Sequence, residues 1–247
     1  MTKRVPIGVA YEPIINLSTD RPILMQALPR LAPDAQTSSR ASGGSEAEPE
    51  SSDRARDMHV LKLACEELAG WAASGLEVGV CVPVDAATLG DVAFPNDVER
   101  LATEVGFDLR RLQFGLTPAA LAGAYSMRNA AALRGKGVTL CLLDLGIGFH
   151  SMHSLNDLPC ERAEVAASFI TALERGDQGH GVAGMTALFR LLGIRAGAAG
   201  VATASTLGSL SDLGIQTARG PAICDPMGPA IAHHWLLQER RRRGGQD

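Results

Sequence analysis

Aromatic residues are scarce in this chain: six Phe, two Tyr and two Trp among 247 residues, 4% of the total. A core built without them must be aliphatic, and at 46% hydrophobic the chain can bury one large α/β unit. Positive charge is not in excess. The 23 Lys+Arg stand against 27 Asp+Glu, a net charge of -4, so no overall attraction to nucleic acid or to an anionic membrane is expected. No window approaches the roughly 18 apolar residues of a membrane span, and Met1-Thr2-Lys3-Arg4 leads straight into a strand-like run rather than a long apolar signal segment. Cys65, Cys81, Cys141, Cys160 and Cys224 contain no C-x-x-C pair, which argues against a disulfide framework and a zinc site and fits a cytoplasmic location. Ser151, Ser154 and Ser205 lack a Gly-x-Ser-x-Gly context and are given no catalytic role.

What is present is a regular alternation. Residues 138–149 form an apolar run of strand length that ends at one acid, Asp144, and a Gly146-Ile147-Gly148 turn, as a strand buried on both faces would. Strands are predicted at 5–11, 22–28, 78–84, 112–116, 138–143, 163–166, 194–201 and 215–218. Helical spacing joins Leu61, Ala64, Cys65, Leu68 and Trp71 up to a stop at Gly75. It also joins Val98, Leu101 and Val105, with Asn96 as N-cap, Glu99 as its reciprocal acid and Gly106 as the stop. Further helices are predicted at 119–133, around Val182 to Leu192, at 206–213 and at 229–242. Residues 34–57 are Ser, Gly, Glu, Asp and Arg with little to bury, and are expected to be a disordered loop. Eight strands separated mostly by helices, over nearly the length usual for the fold, predict a single (β/α)8 TIM-like barrel domain across residues 1–247, with a tail at 240–247. A doubly wound sheet would carry a Gly-rich turn after its first strand, and Tyr11-Glu12-Pro13 is not one.

Several blocks carry a resemblance. Tyr11-Glu12-Pro13-Ile14-Ile15 resembles Tyr-Gln-Pro-Ile, Met25-Gln26-Ala27-Leu28-Pro29-Arg30 resembles the Glu-Ala-Leu-Leu-Arg signature, and Leu143-Asp144-Leu145-Gly146-Ile147-Gly148-Phe149 resembles Asp-Asp-Phe-Gly-Thr-Gly-Tyr. With Ala198-Ala199-Gly200-Val201-Ala202-Thr203 in place of Ala-Glu-Gly-Val-Glu-Thr, the chain is similar to the EAL family of cyclic di-GMP phosphodiesterases. That resemblance implies a barrel of the EAL type and a reaction in which water is held between two divalent cations by carboxylates at neighbouring strand tips. The matching positions here hold Gln26, Pro83, Gly115, Leu143, Glu164 (for a Lys), Ala166 and Ala199, and only Asp144 survives among the acids. One carboxylate cannot hold two hard cations, so no cofactor, no metal and no catalytic residue are expected.

The resemblance therefore implies a degenerate, catalytically inactive regulatory module acting by protein–protein interaction in cyclic di-GMP-related, transcriptional or motility signalling. Gln26, Leu28, Arg30 and Asp144 are the vestigial ligand-facing positions. Asp144 is expected to cap its turn through the Gly146 or Ile147 amide, and Arg30 to form a salt bridge with Glu12 or Glu164. Family members pair through the segment at 146–157, so a homodimer or a complex with a protein regulator is expected there, with Ile147, Phe149 and Met152 supplying contact area. Cyclic di-GMP is not expected as a ligand, but two alternatives stand: a metal-independent cyclic di-GMP receptor using Arg30, and a hydrolase with a new site around Asp144, His150 and His153. The adjacent His233 and His234 are expected to be ordinary surface residues, and Arg240 to Arg243 to fray into solvent.

Overall fold

In the computed structural model, residues 8–30, 51–146 and 160–244 are described. Eight strands close into a barrel in chain order: β1 (Gly8–Asn16), β2 (Arg21–Arg30), β3 (Gly79–Pro83), β4 (Leu112–Leu116), β5 (Thr139–Leu145), β6 (Arg162–Val165), β7 (Arg195–Ala198) and β8 (Thr217–Ala218). Around them lie α1 (Ser51–Ala73), α2 (Ala86–Gly90), α3 (Phe94–Val105), α4 (Ala124–Gly135), α5 (Ala167–Glu174), α6 (His180–Leu191), α7 (Ala204–Ser209) and α8 (Pro229–Gly244). The expected α/β barrel is what the chain forms. Val80, Val82, Phe114, Leu140, Leu142 and Val165 point out from the strands into one continuous aliphatic core with Leu61, Leu68, Val98, Leu133, Ile170 and Phe189. Among the described residues no helix is long and apolar enough to cross a membrane.

The first strand breaks the parallel pattern. β1 runs antiparallel to both β2 and β8, whereas β2 through β8 are parallel to one another. Residues 17–20 alone join β1 to β2, and a parallel crossover needs about a dozen residues or more. Asn16 Oδ1 accepts from the Ser18 amide at 2.9 Å, and Asp20 turns the chain at φ 52°. Residues 5–7 lie outside the described residues, and the strand runs on past the predicted end at 11, to Asn16, with Pro13 inside it opposite Met25. Backbone alternation aims its missing N–H to the side where Tyr11 bonds Met227 and where β8 reaches only Ile15 and Asn16, so no ladder bond is lost.

Five further expectations need correction. The loop predicted at 34–57 ends sooner: residues 51–57 are the first turns of α1, and residues 31–50 lie outside the described residues. Charge, read in isolation as a mark of disorder, is here paired across elements. Arg54 meets Asp91 at 2.5 Å and also Asp97, Arg56 meets Asp85, and Asp57 accepts from the Asp85 amide (2.9 Å) and Thr88 Oγ1 (2.7 Å). Helix α3 begins beyond Ala93, with Pro95 in its first turn, so Asn96 lies inside it and is not the cap; Gly106 does close it, at φ 67°. The helix predicted at 119–133 is a 3-10 turn at Pro118–Leu121 followed by α4. At the C-terminal end, His233 stacks on Trp71 with ring centroids 6.2 Å apart, and Arg240 donates to the carbonyls of Ser74 (3.3 Å) and Gly75 (2.8 Å), closing the C-terminus of α1 instead of fraying.

Candidate functional site at the barrel mouth

Alternation along a strand sends every second side chain inward. In β6 that places Ala163 and Val165 in the outer core and Arg162 and Glu164 inside the barrel, both about 1% exposed. Arg162 donates through Nη1 to Glu164 Oε1 at 2.7 Å and through Nε to Gln113 Oε1 at 3.0 Å. Gln113 in turn reaches Thr139 Oγ1 at 3.3 Å. From just beyond β8, Arg219 donates through Nη2 to Glu164 Oε2 at 3.0 Å and through Nη1 to Glu12 Oε2 at 2.7 Å. Four charges, two of each sign, thus form one connected set from β1, β6 and the end of β8, braced by the neutral Gln113 of β4.

Glycine makes the room. A Cβ on Gly197 would stand 2.8 Å from Thr217 Oγ1 and 3.2 Å from both Arg162 Nη1 and Glu164 Cγ, so any larger residue in β7 would press on the network. Gly220 does the same for the backbone: at φ 143°, with a Cβ only 2.3 Å from the Val201 amide nitrogen, it lets the chain turn directly after Arg219. Burial alone would raise the Glu164 carboxyl, but Arg162 and Arg219 hold it below the ordinary carboxylate range. Burial works against the Arg219 charge too, and Glu164 and Glu12 outweigh it, holding the guanidinium protonated. Beside them the Cys81 thiol is pushed up to about 11 by burial, so it is no nucleophile near neutral pH.

At the tips of β4 and β5 the composition changes from charged to apolar. A Cβ on Gly115 would lie 2.8 Å from Leu143 Cδ1, so the leucine side chain fills the space that a residue at 115 would enter. Leu143 and Asp144 together oppose the single Glu164 of β6, between the pairs Leu142–Ala163 and Leu145–Val165: a β-bulge. Asp144 takes up the extra residue at φ 55°, with its side chain exposed.

The expected site residues are only partly brought together. Gln26, Leu28 and Arg30 share one face of β2, running from a buried Gln26 (1% exposed) to an exposed Arg30. Gln26 pairs in register with Glu12, and its Oε1 is buried without a hydrogen bond. Asp144 stands apart, with β3 and β4 between its strand and β2. Its expected bond from the Gly146 amide does not form among the described residues; Ile147, Phe149, His150, Met152 and His153 lie outside them. Arg30 does not take Glu12 or Glu164, because Arg219 already holds both. Sequence reading missed Arg162 and Arg219. For the first a signal existed, since Arg162-x-Glu164 within a strand puts opposite charges on one face; Arg219 follows a two-residue strand too short to give one.

The divalent cations implied by the resemblance do not fit this donor set. Neutral Gln26, Gly115 and Leu143 occupy three positions where acids would be needed, and the acids that do point inward, Glu12 and Glu164, spend their oxygens on guanidinium groups. Among the described residues no group of three or more His, Cys, Asp or Glu could hold a metal ion.

Comparison with known proteins places this geometry. A family model described as the EAL domain matches residues 4–226. The chain is 28% identical over 232 residues to the cyclic di-GMP phosphodiesterase PA2567 of Pseudomonas aeruginosa, covering 92% of this chain and 40% of that protein. It is 26% identical over 156 residues to the cyclic di-GMP phosphodiesterase RocR of the same organism, covering 62% of this chain and 40% of that protein. The chain thus spans well under half the length of these relatives. Among solved structures, the EAL domain of Mycobacterium smegmatis DcpA superposes with a TM-score of 0.80 at 20% identity, covering 94% of this chain and 98% of that one. The PaMucR phosphodiesterase in complex with c-di-GMP gives 0.77 at 20% identity, covering 91% and 93%. At such identities the superposition establishes the fold alone.

Proposed function

The chain belongs to the EAL domain family, and from that premise we propose that it is a non-hydrolysing member that acts through protein contacts in cyclic di-GMP-related signalling. The observation that carries this reading is the apolar plug at the β4–β5 tip. Leu143 lies where a side chain at 115 would have to go, and with Gln26 it leaves the mouth without the facing carboxylates that two-metal phosphodiester hydrolysis requires. The partner surface proposed is the segment at 146–157, with Ile147, Phe149 and Met152 as its apolar contacts and a second copy or a related domain as its occupant.

The deciding experiment incubates the purified chain with cyclic di-GMP and millimolar Mg²⁺ or Mn²⁺ and follows the linear product by chromatography. No turnover is expected; turnover abolished in Asp144→Ala would replace this reading with a hydrolase built around that acid. Solution mass, measured in parallel, is expected to fall from dimer to monomer in Phe149→Asp.

A second reading has one observation in its favour. Arg30 is exposed, lies in line with Leu28 and Gln26, and is not consumed by the acids of the barrel, so its guanidinium is able to meet a phosphate. Calorimetry without metal tests it: micromolar binding of cyclic di-GMP that disappears in Arg30→Ala would make the chain a receptor.

A further inference from the structure

We infer that Arg219 is the barrel's permanent internal cation: its guanidinium, tethered to the end of β8, neutralises Glu12 and Glu164 together and keeps a divalent ion from taking them, so that the fold is independent of divalent ions. The placement is fixed from both sides of the backbone. The Arg219 amide donates to the Ala198 carbonyl at 3.0 Å, and its own carbonyl accepts from the Val201 amide at 3.1 Å, immediately before the turn at Gly220. The fork then divides its donors, Nη1 to Glu12 at 2.7 Å and Nη2 to Glu164 at 3.0 Å, with Nε reaching the Glu164 oxygens at 3.2 and 3.3 Å.

A guanidinium does not deprotonate in proteins and presents its donors in a rigid plane, so this charge is always present. It is also intramolecular. A divalent ion competing for Glu12 and Glu164 faces a cation at the high effective concentration of a covalent tether, and would have to drive it into the barrel or out of the mouth. Arg162, bonded to the other Glu164 oxygen and braced by Gln113, keeps the set neutral: two guanidinium charges against two carboxylates. The inference touches the non-hydrolysing reading only in removing the need for a metal. Turnover without divalent-ion stabilisation would sink that reading and leave this one.

Thermal melting of the full chain tests it. In millimolar MgCl₂ or MnCl₂ the wild-type midpoint is expected to match that in NaCl of equal ionic strength. Arg219→Ser is expected to melt about 10 °C lower, because two inward carboxylates lose their counter-charge. Millimolar guanidinium chloride should raise the midpoint of that variant and not that of the wild type, since the free ion refills the vacated space. If Arg219→Ser does not fold, Arg219→Gln carries the test, with a drop of about 5 °C expected because the amide keeps hydrogen-bond donors near the acids but not the positive charge. A rise in the wild-type midpoint specific to Mg²⁺ or Mn²⁺ and abolished in Glu164→Gln would overturn the inference. So would an Arg219→Ser or Arg219→Gln protein that melts with the wild type.

Discussion

At the β4–β5 tip the inward space is filled by hydrocarbon, Leu143 lying over Gly115, whereas between β1, β6 and β8 it is filled by guanidinium–carboxylate contacts among Glu12, Arg162, Glu164 and Arg219. The two regions are neighbours in one barrel. They differ in how they respond to loss. A hydrocarbon contact is non-directional and its surroundings can partly collapse around a smaller side chain, so damage there is graded. In a buried ionic set each member exists only because its partner does, and removing one leaves the others as uncompensated charge. The apolar tip should therefore tolerate substitution where the charged layer does not.

The largest break in that comparison is Glu164→Ala, which strips the shared partner from two arginines, Arg162 being about 1% exposed. A loss of about 3–5 kcal/mol in unfolding free energy is expected from urea titration. Leu143→Ala, at a half-buried position, should cost about 1–2 kcal/mol, below the range for fully buried leucines. Equal losses, or the reverse order, would show that the two regions do not differ in kind.

The apolar tip can be probed from its other side. Gly115→Ala introduces a Cβ at 2.8 Å from Leu143 Cδ1 and should cost about 1–3 kcal/mol by overpacking. Combined with Leu143→Ala, the penalty should be smaller than the sum of the two single changes by about 0.5 kcal/mol or more, since the intruding methyl then meets free space. Strict additivity in that double-mutant cycle would mean that Leu143 does not occupy the Gly115 side-chain space.

Much of the frame was legible from residues alone, and the reasons for the exceptions are physical. The strand at 112–116 and the stop at Gly106 stand where expected and β6 lies one residue before the predicted 163–166, because alternate apolar residues (Leu112, Phe114 and Leu116; Ala163 and Val165) mark the outward face of each strand. Arg54, Arg56 and Asp57 looked like loop because composition counts charges without their partners; Asp85, Asp91 and Asp97, some thirty or forty residues on, meet the two arginines and hold the first turns of α1. At the candidate site the vestigial positions were readable and their companions were not. A salt bridge was expected from Arg30 to Glu12 or Glu164; both acids are instead held by Arg219, and Glu164 by Arg162 as well, and the approach of Arg219 depends on barrel closure bringing the last strand beside the first.

Acid titration separates two buried carboxylates with opposite shifts. Burial pushes Asp57 up against the pull of its bonds from Asp85 and Thr88, so the stability it contributes is fully present below its unfolded pKa and is lost as pH rises through the higher folded one. Glu164 is held low by Arg162 and Arg219 despite its burial, so its contribution is present above its unfolded pKa and is lost only as pH falls through the folded value. Asp57→Asn should thus flatten the decline in unfolding free energy on going from the ordinary carboxylate range towards neutral pH, read by urea titration across that range. A steeper decline in the variant would reverse the sign assigned to Asp57.

The smallest effect concerns the one surviving acid. Asp144 sits at φ 55° in the bulge of β5 with its side chain exposed, a conformation that Asp tolerates and glycine adopts freely. Asp144→Gly should therefore change stability by no more than about 0.5 kcal/mol, and Asp144→Ala, which places an alanine Cβ at a positive φ, should cost about 1 kcal/mol. Were Asp144 a working carboxylate held in place by its surroundings, removing its charge would instead relieve repulsion and stabilise the fold in both variants alike. Melting the two side by side distinguishes a backbone role from a vestige of chemistry, because only the backbone role makes glycine and alanine differ.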